Sequence, residues 1–266
     1  MVSELFGKKN RLSRIFNKSG KSIMLALDHG MALGPMQGIE RPGEVLKKLT
    51  PYTDSIMLNK GILQNCYVPD GHVGIVLRIS GAATIVGEDL TRESITTTVT
   101  EALRLSADAV ATSIYVGTPN EHSTIRELSL LCDECETYGL PVLAVTAIGK
   151  DRERKTDPRY LALAVRVAAE MGADIIKTYY CDENFEKVVE ASAGVPIVIA
   201  GGPKMDSVLD VLKIAENAVK AGALGVDMGR NVWQHEKPVE MLLALKEVVN
   251  EGVNAEEAHS KHFGRK

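Results

Sequence analysis

A chain of 266 residues with 45% hydrophobic and 25% charged side chains has an ordinary globular composition, and it is long enough to bury a core without disulfide or metal support. Its net charge of −4 excludes a broad basic field for nucleic acid. No apolar run reaches the roughly 18 residues that suggest a membrane span.

The first 21 residues are basic and lack a continuous apolar stretch, so no secretory leader is expected. Residues 1–21 read as an N-terminal extension that closes the bottom of the fold or an oligomer interface. Eight short apolar runs then follow: "SIMLALDHG" (22–30), "DSIMLNKG" (54–61), "VGIVLRISG" (73–81), "DAVATSIYVG" (108–117), "LPVLAVTAIG" (140–149), "ADIIKTYY" (173–180), "VPIVIAGG" (195–202) and "ALGVDMGRN" (223–231). Each is apolar nearly throughout, as strands covered on both faces are.

The segments between the runs carry helical spacing. Residues 158–173 start after Asp157-Pro158, a cap followed by a first-turn proline, and stop at Gly172. Residues 205–223 repeat the scheme with Gly222 at the stop, and 237–249 supply a last amphipathic helix. Only "ILQNCYVPDG" joins the second and third runs, which predicts a short or irregular helix there. Eightfold alternation of strand and helix predicts the α/β class and a TIM (β/α)8 barrel, one domain over residues 1–266. An open doubly wound sheet is the alternative; it usually has fewer strands and a glycine-rich first turn, absent here. The polar tail, 251–266, is expected to fray in part.

The cysteines are Cys66, Cys132, Cys135 and Cys181. "CDEC" (132–135) lies in a helical stretch with no second pair nearby, and reads as two thiols on one helix turn rather than a metal or redox site. Reduced thiols fit the cytoplasm. No histidine spacing points to a catalytic metal, so neither a metal nor a bound cofactor is expected.

In such a barrel the chemistry lies at the C-terminal ends of the strands. Polar residues gather there: Asp28, His29, Asn59, Lys60, Arg78, Tyr115, Thr146, Lys177, Tyr179, Tyr180, Asp227 and Arg230. Lys177 stands out, because lysine is almost never fully buried unless paired. Two readings stay open. It forms a buried ion pair with Asp28 or a neighbouring carboxylate, or desolvation and nearby cations make it a neutral amine able to attack a ketone. Gly201 and Gly202 before one helical segment, and Gly229 with Arg230 at the start of a short turn, suit phosphate binding. The alternative is that these glycines only make tight turns. Asp28 ends a buried strand and is a candidate for orienting Lys177 or exchanging protons with a substrate hydroxyl.

With these residues in view, the chain resembles the archaeal-type class I aldolase family over nearly its whole length. The matching stretches are "LALDHG" through the following "GP" and "G" (25–38), "NKGI" (59–62), "KTYY" (177–180), "AGGPK" (200–204) and "GRNVWQ" (230 and its flanks). The resemblance implies a TIM barrel, a Schiff base on Lys177, proton transfer assisted by Asp28, and a phosphate held by Gly201, Gly202, Gly229 and Arg230. It also implies a homo-oligomer, commonly a decamer. Family aldolases carry a Tyr-Pro-Arg-Gly-like motif after the fifth strand, whose tyrosine is the acid/base. Here Ala147-Ile148-Gly149 stand in its place. "RLSRIFN" (11–17), "VLRISGA" (76–82) and "GVDMGRN" (225–231) are similar to the branch holding the autoinducer-2-processing thiolase, which moves acetyl from a phosphorylated pentanedione to coenzyme A and leaves dihydroxyacetone phosphate.

The expected function is therefore Schiff-base cleavage of a carbon–carbon bond in a phosphorylated ketone, with coenzyme A as co-substrate and Tyr115 or Tyr180 as proton relay. The enzymatic alternative is a fructose-bisphosphate aldolase or related heptulosonate synthase. The non-enzymatic alternative is a phosphosugar-binding protein that uses Lys177 only as a salt-bridge partner.

Overall fold

The computed structural model describes residues 6–149 and 155–264. Ten strands occur among them: β1 (Ser22–Ala26), β2 (Ser55–Asn59), β3 (Gly74–Arg78), β4 (Ser80–Gly81), β5 (Ser94–Ile95), β6 (Ala109–Val116), β7 (Val142–Ile148), β8 (Ile175–Tyr179), β9 (Ile197–Ala200) and β10 (Gly225–Met228). Eight of them close a parallel barrel in the order β1-β10-β9-β8-β7-β6-β3-β2. Closure runs through β1 and β10, with Ser22 opposite Gly225 and Leu25 opposite Met228. All eight expected runs become barrel strands. The departure is β4–β5, a two-stranded antiparallel ladder folded over the end of β3. The sequence gives it no alternating stretch long enough to notice.

The helices lie where the apolar spacing places them, with shorter ends. Pro158–Glu170 starts at Asp157, whose side chain accepts from the Arg159 N–H. Val208–Lys220 starts at Ser207, which caps the Asp210 N–H. The short link after β2 forms Lys60–Cys66. The N-terminal extension includes the helix Phe6–Ile15. Its fully buried Ile15 packs under Met24, Ala26, Met57 and Val76, which closes the barrel bottom.

The tail corrects an expectation. Residues 255–263 form a helix rather than a frayed end. Asn254 caps it by accepting from the Glu257 N–H at 2.8 Å. Ala255 and Ala258 are buried, and Lys213 on the neighbouring helix pairs with Glu256 at 2.9 Å. Small buried residues and a cap outweigh the polar composition. Residues 265–266 lie outside the described residues.

Aspartates just before three strands tie the bottom rim. Asp54 accepts from the Ile23 N–H at 2.7 Å, Asp108 from Ile75 at 2.9 Å and Asp174 from Val142 at 2.9 Å. Each satisfies a backbone donor in the first two residues of an adjacent strand. No helix among the described residues is long and apolar enough to cross a membrane.

Candidate active site

Strand pleating decides which side chains meet. Successive residues of a strand face opposite sides. On β8, Ile175 belongs to the barrel interior and Ile176 to the shell against the helices. Lys177 and Tyr179 therefore point inward and line the cavity, while Tyr180 points out. Tyr180 packs its ring against Phe185, centroids 5.1 Å apart, in the outer shell. The expected relay role of Tyr180 is corrected on that ground: it is on the wrong face of its strand.

The inward residues open into a cavity of about 630 Å³ at the C-terminal end of the barrel. Lys177 sits deep in it, 8% exposed, on a strand bordered by β7 and β9. Its Nζ lies 2.8 Å from Oδ2 of Asp227, on β10. This contact is a charge pair more than a directed hydrogen bond, since neither Asp227 oxygen has a well-aligned donor. Asp227 is 1% exposed, and burial holds its carboxyl above the usual range despite the attraction of Lys177. The buried pair that the sequence left open thus exists, and its acid is Asp227 rather than Asp28.

Asp28 instead faces Arg78 Nη1 at 3.5 Å and His29 Nδ1 at 3.5 Å. Burial alone would raise its carboxyl; Arg78, Lys177 and His29 outweigh it and hold the group below its ordinary value. Burial, opposed by Asp28, lowers His29. The ring of His29 meets Trp233 edge-on at 5.5 Å. Four of the expected catalytic and phosphate-site residues that line the cavity, Asp28, Tyr115, Lys177 and Arg230, thus come from the turn after β1, from β6, from β8 and from the turn after β10.

Tyr115 ends β6 and enters the cavity opposite Ala147 of β7 in the parallel register. Its hydroxyl donates to Glu93 Oε1 at 2.5 Å. Burial first, then the Glu93 carboxylate, pushes the phenol well above its ordinary value. Gly149 closes this wall: a Cβ there would meet the Gly117 carbonyl oxygen at 2.6 Å. Gly149 is therefore packed backbone on backbone, and Tyr115 on the neighbouring strand is the phenol opposite Ala147.

Gly201, Gly202, Gly229 and Arg230 all line the cavity. The glycines after β9 do not sit directly on a helix start, because that helix begins only at Val208. They occupy a loop held by Asn231, whose amide donates to the Gly201 carbonyl at 2.6 Å and to Pro203 O at 3.2 Å, and whose Oδ1 accepts from the Met205 N–H at 2.8 Å. Gly229 lets β10 approach β1, since a Cβ would lie 2.7 Å from the Ala26 carbonyl oxygen and 2.7 Å from His29 Cε1. Arg230 Nε is buried without a hydrogen-bond partner. An unsatisfied guanidinium nitrogen beside two glycine loops forms a cradle suited to an anionic oxygen.

Sequence reasoning missed three roles. Asp227 was visible in the polar ring, and strand parity would have assigned it the inward face. Asn231 follows Arg230 directly but shows its role only when two loops meet. Glu93 lies in the link before β5 and carries no local signal. The thiols of "CDEC" lie on the helix Glu121–Thr137 and are free. Burial pushes Cys132 and Cys135 each up to about 12, so they are not activated nucleophiles.

Comparison with known proteins agrees with this geometry. The family model described as DeoC/LacD family aldolase matches residues 22–235. An uncharacterized aldolase of Pasteurella multocida is 46% identical over 262 residues, covering 98% of this chain and 89% of that protein. A 3-hydroxy-5-phosphonooxypentane-2,4-dione thiolase of Photorhabdus laumondii is 45% identical over 262 residues, covering 98% and 88%. The crystal structure of an archaeal fructose 1,6-bisphosphate aldolase superposes with a TM-score of 0.83 at 33% identity, covering 92% of this chain and 100% of that one. An archaeal aldolase structure whose catalytic lysine is covalently bound to the carbinolamine intermediate superposes with a TM-score of 0.83 at 32% identity, covering 91% and 99%.

Proposed function

The chain belongs to the DeoC/LacD aldolase family, and from that membership we propose that it cleaves a phosphorylated diketone by acetyl transfer to coenzyme A, leaving dihydroxyacetone phosphate. It is an enzyme of the class I aldolase type. The substrate is the finer part of the reading, supported by the thiolase relatives and by one observation above others: Lys177 faces the cavity beside the phosphate cradle, while β7 offers alanine where family aldolases hold their tyrosine.

The chemistry follows from the groups present. The phosphate sits against Arg230, Gly201, Gly202 and Gly229, which fixes the adjacent ketone over Lys177. Asp227, with its raised carboxyl, takes the ammonium proton as the amine adds to the ketone. Loss of water gives an iminium. The thiol of coenzyme A attacks the acetyl carbonyl, and the bond between that carbon and its hydroxylated neighbour breaks. The electron pair moves into the iminium and forms an enamine, which is protonated at carbon and hydrolysed. Asp28, held ionised next to Arg78, and Arg230 stabilise the cationic and anionic groups at the cavity.

The free cysteines support a reducing, cytoplasmic setting, and the exposed Phe6 and Val68 support self-association into a homo-oligomer.

The test offers the protein 3-hydroxy-5-phosphonooxypentane-2,4-dione with and without coenzyme A. The expected result is acetyl thioester and dihydroxyacetone phosphate in equal amounts, strictly thiol-dependent. Steady triose phosphate release from fructose 1,6-bisphosphate without any thiol would replace this reading by that of an ordinary aldolase.

A further inference from the structure

The replaced tyrosine motif leaves the reaction without its usual proton donor, and the cavity contains a second arrangement able to fill the role. Glu93 reaches the cavity from the link before β5, fixed there by the β4–β5 ladder. Its two oxygens are divided. Oε2 accepts from Arg78 Nη2 at 2.7 Å and from the Ser80 hydroxyl at 2.7 Å. Oε1 accepts from the Tyr115 hydroxyl at 2.5 Å. Arg78, itself 5% exposed, also bonds the Ser113 hydroxyl and faces Asp28. A carboxylate that only neutralised Arg78 would not need a phenol on its second oxygen.

We propose that Glu93 is a positioning residue which turns Tyr115 into the acid/base of this site, with the Tyr115–Glu93 pair acting as one proton relay. The relay rests on the Schiff-base reading above. The phenol hydroxyl donates to Glu93, and its oxygen, which lines the cavity beside Ser113, keeps a lone pair able to accept a proton. When a proton must leave the substrate or the thiol, it moves to the Tyr115 oxygen as the phenol proton moves to Glu93 Oε1. Glu93 becomes the neutral acid and tyrosine is regenerated. When the enamine must be protonated, the two transfers reverse: the phenol proton goes to the enamine carbon and the Glu93 proton restores the phenol. No atom or electron is left over, and no external acid is consumed.

The relay is separable from Schiff-base formation in a partial reaction that needs no coenzyme A. The protein is incubated with dihydroxyacetone phosphate in deuterium oxide. Exchange of the carbon-bound proton next to the ketone is followed by proton NMR, and borohydride trapping at Lys177 is measured in parallel. Glu93→Gln keeps the shape of the side chain and removes the proton acceptor. Tyr115→Phe leaves the Glu93–Arg78 pair intact. Both variants are expected to trap dihydroxyacetone phosphate as the parent does, while exchange falls by about 100-fold or more, the usual worth of a positioned acid/base. The double variant is expected to fall no further than either single one, as for residues that act as a unit. Trapping at Lys177 with unchanged exchange in either variant overturns the relay. If Glu93→Gln does not fold, Tyr115→Phe alone decides between the same two outcomes. A parent protein that traps nothing overturns the Schiff-base reading instead.

Discussion

Asn231→Ala would separate the two loops that form the phosphate cradle. The side chain is 3% exposed and makes three hydrogen bonds, to the Gly201 carbonyl at 2.6 Å, the Pro203 carbonyl at 3.2 Å and the Met205 N–H at 2.8 Å. Pro203 is exposed, so water replaces that contact at little cost. The Gly201 and Met205 groups are half-buried and lose more, about 1 kcal/mol each plus a share of desolvation, for a total of about 2–4 kcal/mol. A chain of this length loses roughly 2–4 °C in Tm per kcal/mol, so thermal unfolding is expected to shift down by about 4–16 °C. Part of the loss enters binding, because the free loop must be ordered again on the phosphate. With tenfold in affinity per about 1.4 kcal/mol, dihydroxyacetone phosphate should bind roughly 10–30-fold more weakly by titration calorimetry. Asn231→Asp keeps the acceptor for Met205 but turns a carboxylate oxygen onto the Gly201 and Pro203 carbonyls and sets a negative charge beside the phosphate, so its affinity should fall at least as far as that of alanine. An Asn231→Ala protein with unchanged Tm and unchanged affinity would refute the claim that this side chain builds the cradle.

Tyr180→Phe removes a hydroxyl from the outer shell only, so turnover should stay within the roughly 0.5 kcal/mol expected away from a site; a large fall in kcat would show that the outward tyrosine takes part after all. Burial pushes Cys132 and Cys135 up to about 12 and Cys181 up to about 11, so at pH 8 a thiol reagent should label the half-buried Cys66 quickly and the other three only on denaturation; four fast thiols in native protein would contradict their burial. Asp28 sits below its ordinary 3.8 when folded, because Arg78, Lys177 and His29 outweigh the burial that would raise it. The folded state thus binds fewer protons than the unfolded one, and Asp28 contributes stability that is present above about pH 4 and lost as pH falls through its folded value. Urea titrations of Asp28→Asn should show a shallower loss of stability across that acid range than the parent; an equal slope would place the acid sensitivity elsewhere.

The barrel was legible because its signal is repeated. Eight apolar runs separated by helical spacing leave few alternatives, and each run became a barrel strand. Lys177 was legible because a charge inside such a run has to be answered. Its partner was not, since Asp28 just past β1 and Asp227 on β10 both line the cavity and only the closed barrel sets their distances. Tyr180 was misjudged where a simple rule was available: the pleat places Tyr179 beside Lys177 and turns Tyr180 away. Glu93 had no sequence signal at all. It depends on a two-residue ladder, Ser80 against Ile95 and Gly81 against Ser94, that lies just past the end of β3 where β3 pairs with β6. The tail was read from composition, whereas Asn254 and two buried alanines decide its conformation. Local periodicity therefore carried the architecture, and long-range closure carried the pairing of charges.

The most direct measurement is borohydride reduction of the protein with dihydroxyacetone phosphate, followed by mass spectrometry of the peptide that contains Lys177. The account predicts one reduced triose phosphate adduct on Lys177, absent from Lys177→Met and from protein reduced without ligand. A parent protein that turns over substrate yet carries no adduct on Lys177, or carries it on another lysine, would contradict the account.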